Sequence, residues 1–311
     1  MNTIGALAAQ ISEGRRGILW FLFAILVFST MDVVAKHLTA HYPIPQIVWA
    51  RHTLPLLVLA VVLNRRLPGF LASQRVGLQL ARSCLLLGAS VCFYFALRVL
   101  TLADATAVTF VGPLLAVAMS VPLLGERVGP RRWTGVLIGF VGALIIIRPG
   151  TGVMEFAAFL PLGAAFCFAL YQIATRRLRG IDGPVTTLTY TAVTGTVITS
   201  VIVPFFWILP DPTGWLLMGS LGILGTAGHF ALIKAFESAP VSVIAPFDYT
   251  ALIWAALFGL FIFNETLDTF TIVGALVITG SGLYILRRES VQSVAAPDVP
   301  DATGTGPGAS R

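Results

Sequence analysis

Charge is what this chain has least of. Asp, Glu, Lys and Arg together make up 11% of its 311 residues, where a soluble domain carries roughly a quarter. Apolar residues make up 57%, and the mean hydropathy is +0.89. A water-soluble globule does not have this balance; a chain dissolved in a bilayer does. Cysteine is scarce too. Cys84, Cys92 and Cys167 fall inside apolar runs without metal-type spacing, so they read as small packing residues. The chain also lacks a P-loop GxxxxGK[ST], an HExxH pair and a Gly-rich nucleotide fingerprint. No polar stretch between its apolar runs is long enough to hold an ATPase. No enzyme activity, cofactor or metal is therefore expected. The formal charge of +6 and pI near 9.7 do not point to nucleic acid. The arginines stand in short clusters between apolar runs, as membrane-flanking charges do.

What is present is length in the apolar runs. A spanning helix needs about 20 mostly apolar residues. Ten segments qualify, at roughly 17–38, 45–63, 76–97, 101–124, 131–147, 154–175, 185–208, 214–236, 241–263 and 268–286. The first lacks a small-residue cleavage site after Arg15 and Arg16, so it reads as an uncleaved span.

The chain also repeats itself. A gapless shift of 139 positions brings Ala35 onto Ala174, Ala96 onto Ala235, Glu126 onto Glu265, Gly135 onto Gly274, Leu144 onto Leu283 and Arg148 onto Arg287. Each repeat holds five spans. The expected division is a cytoplasmic N-terminus at 1–16, repeats at 17–148 and 154–288, and a disordered cytoplasmic tail at 289–311 rich in Ala, Pro, Gly, Thr and Asp. The fold class expected is an all-α integral membrane protein of ten helices in two inverted five-helix repeats. Inversion follows from the odd number, because the second copy must enter the membrane in the opposite sense. With the N-terminus inside, the inner loops collect Arg65, Arg66, Arg75, Arg127, Arg131, Arg132, Arg176, Arg177 and Arg179, and the outer loops only Arg98 and Arg148. That asymmetry places both termini in the cytoplasm.

Proline and glycine add detail. Pro113 and Pro246 lie within the fourth span of each repeat and are the best candidate hinges. Gly135 and Gly139 form a GxxxG pair, and Gly219, Gly222, Gly225 and Gly228 run at spacing three. Such stripes pack helices within one chain or join two copies as a homodimer.

Ionisable groups at membrane depth are costly and by default face the bundle interior. Asp32, Lys36 and Arg51 lie towards the outer side; His229, Lys234 and Asp248 lie towards the inner side. Asp32 and Lys36 are four apart, share a helix face and can pair. Lys234 and Glu237 can pair likewise. Arg82, two turns from a helix end, is expected to snorkel to the surface. His52 and His229 titrate near neutral pH and could carry protons. Tyr94 and Trp254 lie inside spans and can line a cavity suited to a planar solute. The candidate substrate-binding or gating set is thus Asp32, Lys36, Arg51, Tyr94, His229, Lys234, Asp248 and Trp254. Glu126 and Glu265 stand at helix ends, where a capping role is expected.

The pattern "PLLGERVGPRRWTGVLIGFVGALIII", echoed by "LFIFNETLDTFTIVGALVITGSGLYIL", resembles the EamA-type transporters of the drug/metabolite transporter superfamily. Asn264 stands before Glu265 where Gly125 precedes Glu126, so a different local turn is expected there. The resemblance implies movement of a small organic solute across the inner membrane, without ATP. The stretch "FSTMDVVAKHLTAHYPIPQIVWARH" resembles an uptake branch that includes riboflavin and S-adenosylmethionine importers, matched at Asp32, Lys36 and Arg51. Export of amino acids or drug-like amines is the alternative.

Overall fold

The computed structural model describes residues 3–125, 128–148, 155–178, 180–239 and 241–294. Helices in chain order are α1 Thr3–Thr39, α2 Ile44–Leu63, α3 Val76–Val99, α4 Leu102–Thr109, α5 Gly112–Leu124, α6 Pro130–Ile147, α7 Glu155–Leu178, α8 Pro184–Ile202, α9 Pro212–Ser238, α10 Val241–Ile244, α11 Thr250–Phe263 and α12 Thr269–Val294. Tight 3₁₀ turns cover Asn64–Leu71, Val203–Phe206 and Ala245–Tyr249. No strand occurs among the described residues. Nine spans there are long and apolar enough to cross a bilayer, and the tenth is the apolar part of α12, Thr269–Ile285. α1 and α12 run past the expected span limits at both termini. The expected disordered tail lies outside the described residues from 295 onward, and so does Glu126.

Local chemistry sets the helix limits. α6, α8 and α9 each begin with proline, whose missing N–H costs nothing in a first turn. Asp211 caps α9 by accepting from the Gly214 N–H at 2.7 Å, and Thr101 caps α4 by accepting from the Asp104 N–H at 3.0 Å. α5 and α11 end on Gly125 (φ 70°) and Asn264 (φ 54°), both left-handed. The expected difference between these turns does not materialise. Asparagine adopts the left-handed region more readily than other side-chain-bearing residues, so it makes the same turn.

The repeat is visible in the packing. Shifted by 139, the helix ends Thr39, Leu63, Val99 and Leu124 fall on Leu178, Ile202, Ser238 and Phe263, which are also helix ends. α1 packs on α9 and α3 on α7, while α2 packs on α8 and α6 on α12. Exchanging the repeats turns the first two contacts into one another and leaves the last two unchanged. This is a two-fold relation between the halves. At α6 and α12, Ile285 lies over Gly135 and Ile146 over Gly274, again equivalent pairs. Gly139 faces Leu114, Gly222 faces Leu54, and Gly228 faces Phe28. These glycine faces are occupied within the chain.

Two spans differ from expectation. The fourth is broken at Phe110–Val111, between α4 and α5, and the ninth at Ala245–Tyr249. Pro113 explains the first break, because its ring clashes with the carbonyl four residues earlier, at Thr109, where α4 ends. Pro246 lies within the second. The outer surface is strongly apolar: Phe205, Val61 and Phe261 are 82%, 79% and 77% exposed. Lipid, not water, suits such a belt.

Candidate functional site

The start of α1 and the end of α12 lie at one end of the bundle, called here the terminus end. Asp32 on α1, Arg51 on α2 and Tyr94 on α3 sit in the half towards the far end. Arg82 on α3, Tyr171 on α7 and His229 on α9 sit in the half towards the terminus end. Together they line the space where the two repeats face each other.

Tyr94 is fully buried and fixes Arg51, whose guanidinium donates to the Tyr94 hydroxyl at 2.9 Å and stands 5.4 Å from its ring centre. Asp32 and Arg51 are charge neighbours. They form no ion pair, and Asp32 has no hydrogen-bond partner among the described residues. Both side chains are only half-buried despite their depth, so neither is sealed into the packing. His229 is also half-buried. Its ring meets Phe28 edge-on at 5.1 Å, and the charges of Arg51 and Arg82 reach it.

Arg82 is not at the surface. It is 4% exposed and donates to Thr175 (2.7 Å), Thr191 (2.8 Å) and the Tyr171 hydroxyl (2.6 Å), with the Tyr171 ring centre 4.3 Å away. The expectation that it snorkels is corrected: three hydroxyls on α7 and α8 solvate the guanidinium inside. Arg82 and Tyr171 were missed as site residues. One signal for Tyr171 existed, since it is the repeat equivalent of Asp32.

Lys36 does not pair with Asp32. Its ammonium forms an ion pair with Glu265 at 2.5 Å, donates to the Leu100 carbonyl at 2.7 Å and stands 5.4 Å from the Phe263 ring centre. The other Glu265 oxygen accepts from the Leu102 N–H at 2.8 Å, at the start of α4. One carboxylate thus binds both a cation from the first repeat and the positive end of a helix. Tyr42 with Asp211 (2.8 Å) and Gln46 with Ile208 (2.8 and 3.1 Å) add ties between the repeats at this end. The Gly214 N–H and the Tyr42 hydroxyl hold the Asp211 carboxyl below its ordinary range, while that same bond pushes the Tyr42 phenol up. At the terminus end, Asp182 accepts from Ser73 (2.5 Å) and Gln79 (2.8 Å), and Tyr190 donates to the Leu71 carbonyl at 2.6 Å. The Ser73 and Gln79 bonds hold the Asp182 carboxyl below its ordinary range.

Three candidates stand apart from the central set. Lys234 binds Glu237 at 2.8 Å, one turn on along α9, and both side chains are largely exposed. It does not reach the space between the repeats. Trp254 stacks on Phe258 at 5.7 Å and packs near Phe21 and Ile25. Asp248, in the broken ninth span, is half-buried with no hydrogen-bond or ion-pair partner among the described residues. His52 is buried, and its ring bonds the Val48 carbonyl at 2.9 Å. Among the described residues no three His, Cys, Asp or Glu side chains gather as a metal would require.

This architecture has known counterparts. The sequence model of the EamA-like transporter family matches residues 15–148 and 155–287. The S-adenosylmethionine uptake transporter of Rickettsia prowazekii is 27% identical, with 88% of this chain and 93% of that protein covered. The riboflavin transporter of Vibrio cholerae is 28% identical, covering 89% and 95%. The pseudopaline exporter CntI of Pseudomonas aeruginosa is 25% identical, covering 88% and 97%. A solved crystal structure aligns with a TM-score of 0.62 at 21% identity, over 86% of this chain and 96% of the other, a likeness of fold alone. Two copies of the family's unit fill nearly all of the helical bundle, and the chain belongs to the EamA-like transporter family of multi-pass membrane proteins.

Proposed function

We propose that this protein is a secondary transporter that takes up a small vitamin- or cofactor-like solute, such as S-adenosylmethionine or riboflavin, across a bacterial cytoplasmic membrane. Both termini then lie in the cytoplasm. The observation that carries the reading is the unpaired pair of charges, Asp32 and Arg51, half-buried at membrane depth between inverted repeats. Charges exposed to lipid there would cost roughly 2.5–3.5 kcal/mol each on insertion scales, whereas a wet solute path removes most of that cost. Solute enters from one end when the Lys36–Glu265 side opens and leaves when the Arg82 side opens. The driving force is a gradient, exchange or the solute's own concentration difference.

Uptake is favoured by the similarity to the S-adenosylmethionine uptake transporter and by Asp32, Lys36 and Arg51. Export is the second reading, supported by the similarity to the pseudopaline exporter. If two copies associate through glycine faces, Gly219 and Gly280 remain open for it. The direct test is growth rescue of strains that require S-adenosylmethionine or riboflavin and cannot import it. Rescue at low external solute supports uptake. Increased tolerance to, or secretion of, the solute without rescue supports export.

A further inference from the structure

We infer that the central site selects a zwitterion: a solute whose carboxylate, or a similar anion, is received by Arg51 and whose ammonium or sulfonium group is received by Asp32. This deepens the uptake reading and rests on it. Asp32 and Arg51 form no ion pair among the described residues. Neighbouring opposite charges attract, so Asp32 and Arg51 would be expected to close on each other. They do not; the one side-chain bond of Arg51 among the described residues goes to Tyr94 instead. Tyr94, fully buried on α3, accepts one guanidinium N–H at 2.9 Å and lies beside the cation. No other hydrogen bond holds Arg51 among the described residues, so N–H donors remain free on its half-buried side.

Nearby groups cannot substitute as partners. Lys36 shares the Asp32 helix face but is bound by Glu265 and the Leu100 carbonyl. Arg82 is held by three hydroxyls. His229 adds no negative charge. Asp32 and Arg51 therefore present a fixed dipole that is only half-buried. A solute with the opposite dipole meets both charges with charged partners at once, whereas a neutral solute offers them only the weaker uncharged hydrogen bonds. The Arg51 fork matches the planar geometry of a carboxylate. The aromatic groups Phe28 and His229, in edge contact at 5.1 Å, stand nearby for an attached ring. Tyr94 is in this account a positioning residue that keeps Arg51 from collapsing onto Asp32.

The test compares S-adenosylmethionine, its carboxyl methyl ester and riboflavin as ligands of the purified full-length protein, by thermal stabilisation and by competition in proteoliposome exchange. The wild type should prefer the acid over the ester by about tenfold or more, the scale of a lost charged hydrogen bond. Arg51→Gln should abolish that preference. Tyr94→Phe should reduce it although Arg51 is intact. The preference is a ratio within one preparation, so partial unfolding of a variant does not imitate the effect. Equal binding of acid and ester by the wild type, or an undiminished preference in Arg51→Gln, overturns the inference. Response to riboflavin alone also overturns it and leaves the transporter reading standing. No response of the folded protein to any of the three overturns both.

Discussion

Phe110 and Tyr249 meet ring to ring across the middle of the molecule, with centroids 5.1 Å apart and planes inclined by 30°. They occupy equivalent positions 139 residues apart, and each lies at the break in the fourth span of its repeat. A residue that touches its own equivalent lies on the axis relating the halves. The two broken helices therefore cross at that axis. Side-chain ties lie on both sides of it: Lys36–Glu265 at the far end and Arg82 with Thr175 and Thr191 at the terminus end.

The far-end tie is testable by coupling energies. Lys36→Gln and Glu265→Gln are each expected to lower stability by about 1–3 kcal/mol, since each leaves a mostly buried charged group short of a partner. Their double-mutant cycle should show strong coupling, while a cycle of Lys36 with Asp32 shows little. Exchanging the two residues should rescue only in part. A lysine at 265 cannot accept from the Leu102 N–H, which the native carboxylate binds at 2.8 Å. Thermal unfolding in detergent measures all of these variants; strong coupling of Lys36 to Asp32 would contradict the structure.

Close packing of α6 on α12 makes a second expectation. A Cβ added at Gly274 would stand 2.6 Å from the Gly142 carbonyl oxygen, which is backbone and cannot rotate away. Gly274→Ala should destabilise by about 1–3 kcal/mol through overpacking. Gly280 on the same helix has nothing within 4 Å of that position. Gly280→Ala should be neutral or stabilising by about 0.5–1 kcal/mol, the helix propensity difference. Melting temperatures of the two variants should move in opposite directions or differ clearly in size.

Topology is checked by single cysteines. With inverted repeats and both termini inside, cysteines at positions 66, 131 and 177 should react only from the cytoplasm. Cysteines at 211 and 265 should react with an impermeant reagent added outside. Labelling of both sets from one side would refute the inversion.

The pH response of the terminus-end loop has a definite sign. Asp182 titrates below its ordinary range in the folded state, because Ser73 and Gln79 donate to its charged form. Its contribution is present above the unfolded carboxylate value and is lost as pH falls through the lower folded value. The group is exposed to solvent, so the effect is small. Wild type should exceed Asp182→Asn in melting temperature near neutral pH, and the gap should close towards about pH 3. A gap that widens on acidification would contradict the assignment.

Much of this was legible in the residues. The 139-residue shift revealed that the fold is a repeat of two halves, and the apolar runs gave ten helical spans, because a bilayer forces long helices with satisfied backbones. The helix-ending pattern around Glu265 held as well: that carboxylate caps a helix, although of another span. What failed were inferences from local spacing. Asp32 lies four residues from Lys36, so the shared helix face suggested a pair. The true partner, Glu265, comes from the other repeat and is invisible to helical periodicity. Arg82 lies near a helix end, where depth alone suggested snorkelling, but the hydroxyls of Thr175, Thr191 and Tyr171 reach it from two other helices. The breaks at Phe110 and Tyr249 had prolines to announce them, yet hydropathy reads each span as continuous.

Counterflow in proteoliposomes tests most directly whether solute moves between the repeats without ATP. Vesicles preloaded with unlabelled S-adenosylmethionine or riboflavin, and diluted into trace labelled solute, are expected to accumulate label transiently above equilibrium. Arg51→Gln, purified as a monodisperse protein, should lose that overshoot for S-adenosylmethionine. Absence of an overshoot for either solute with the folded wild-type protein would contradict the cargo class. An overshoot that persists unchanged in Arg51→Gln and Asp32→Asn would contradict the path through the central charges.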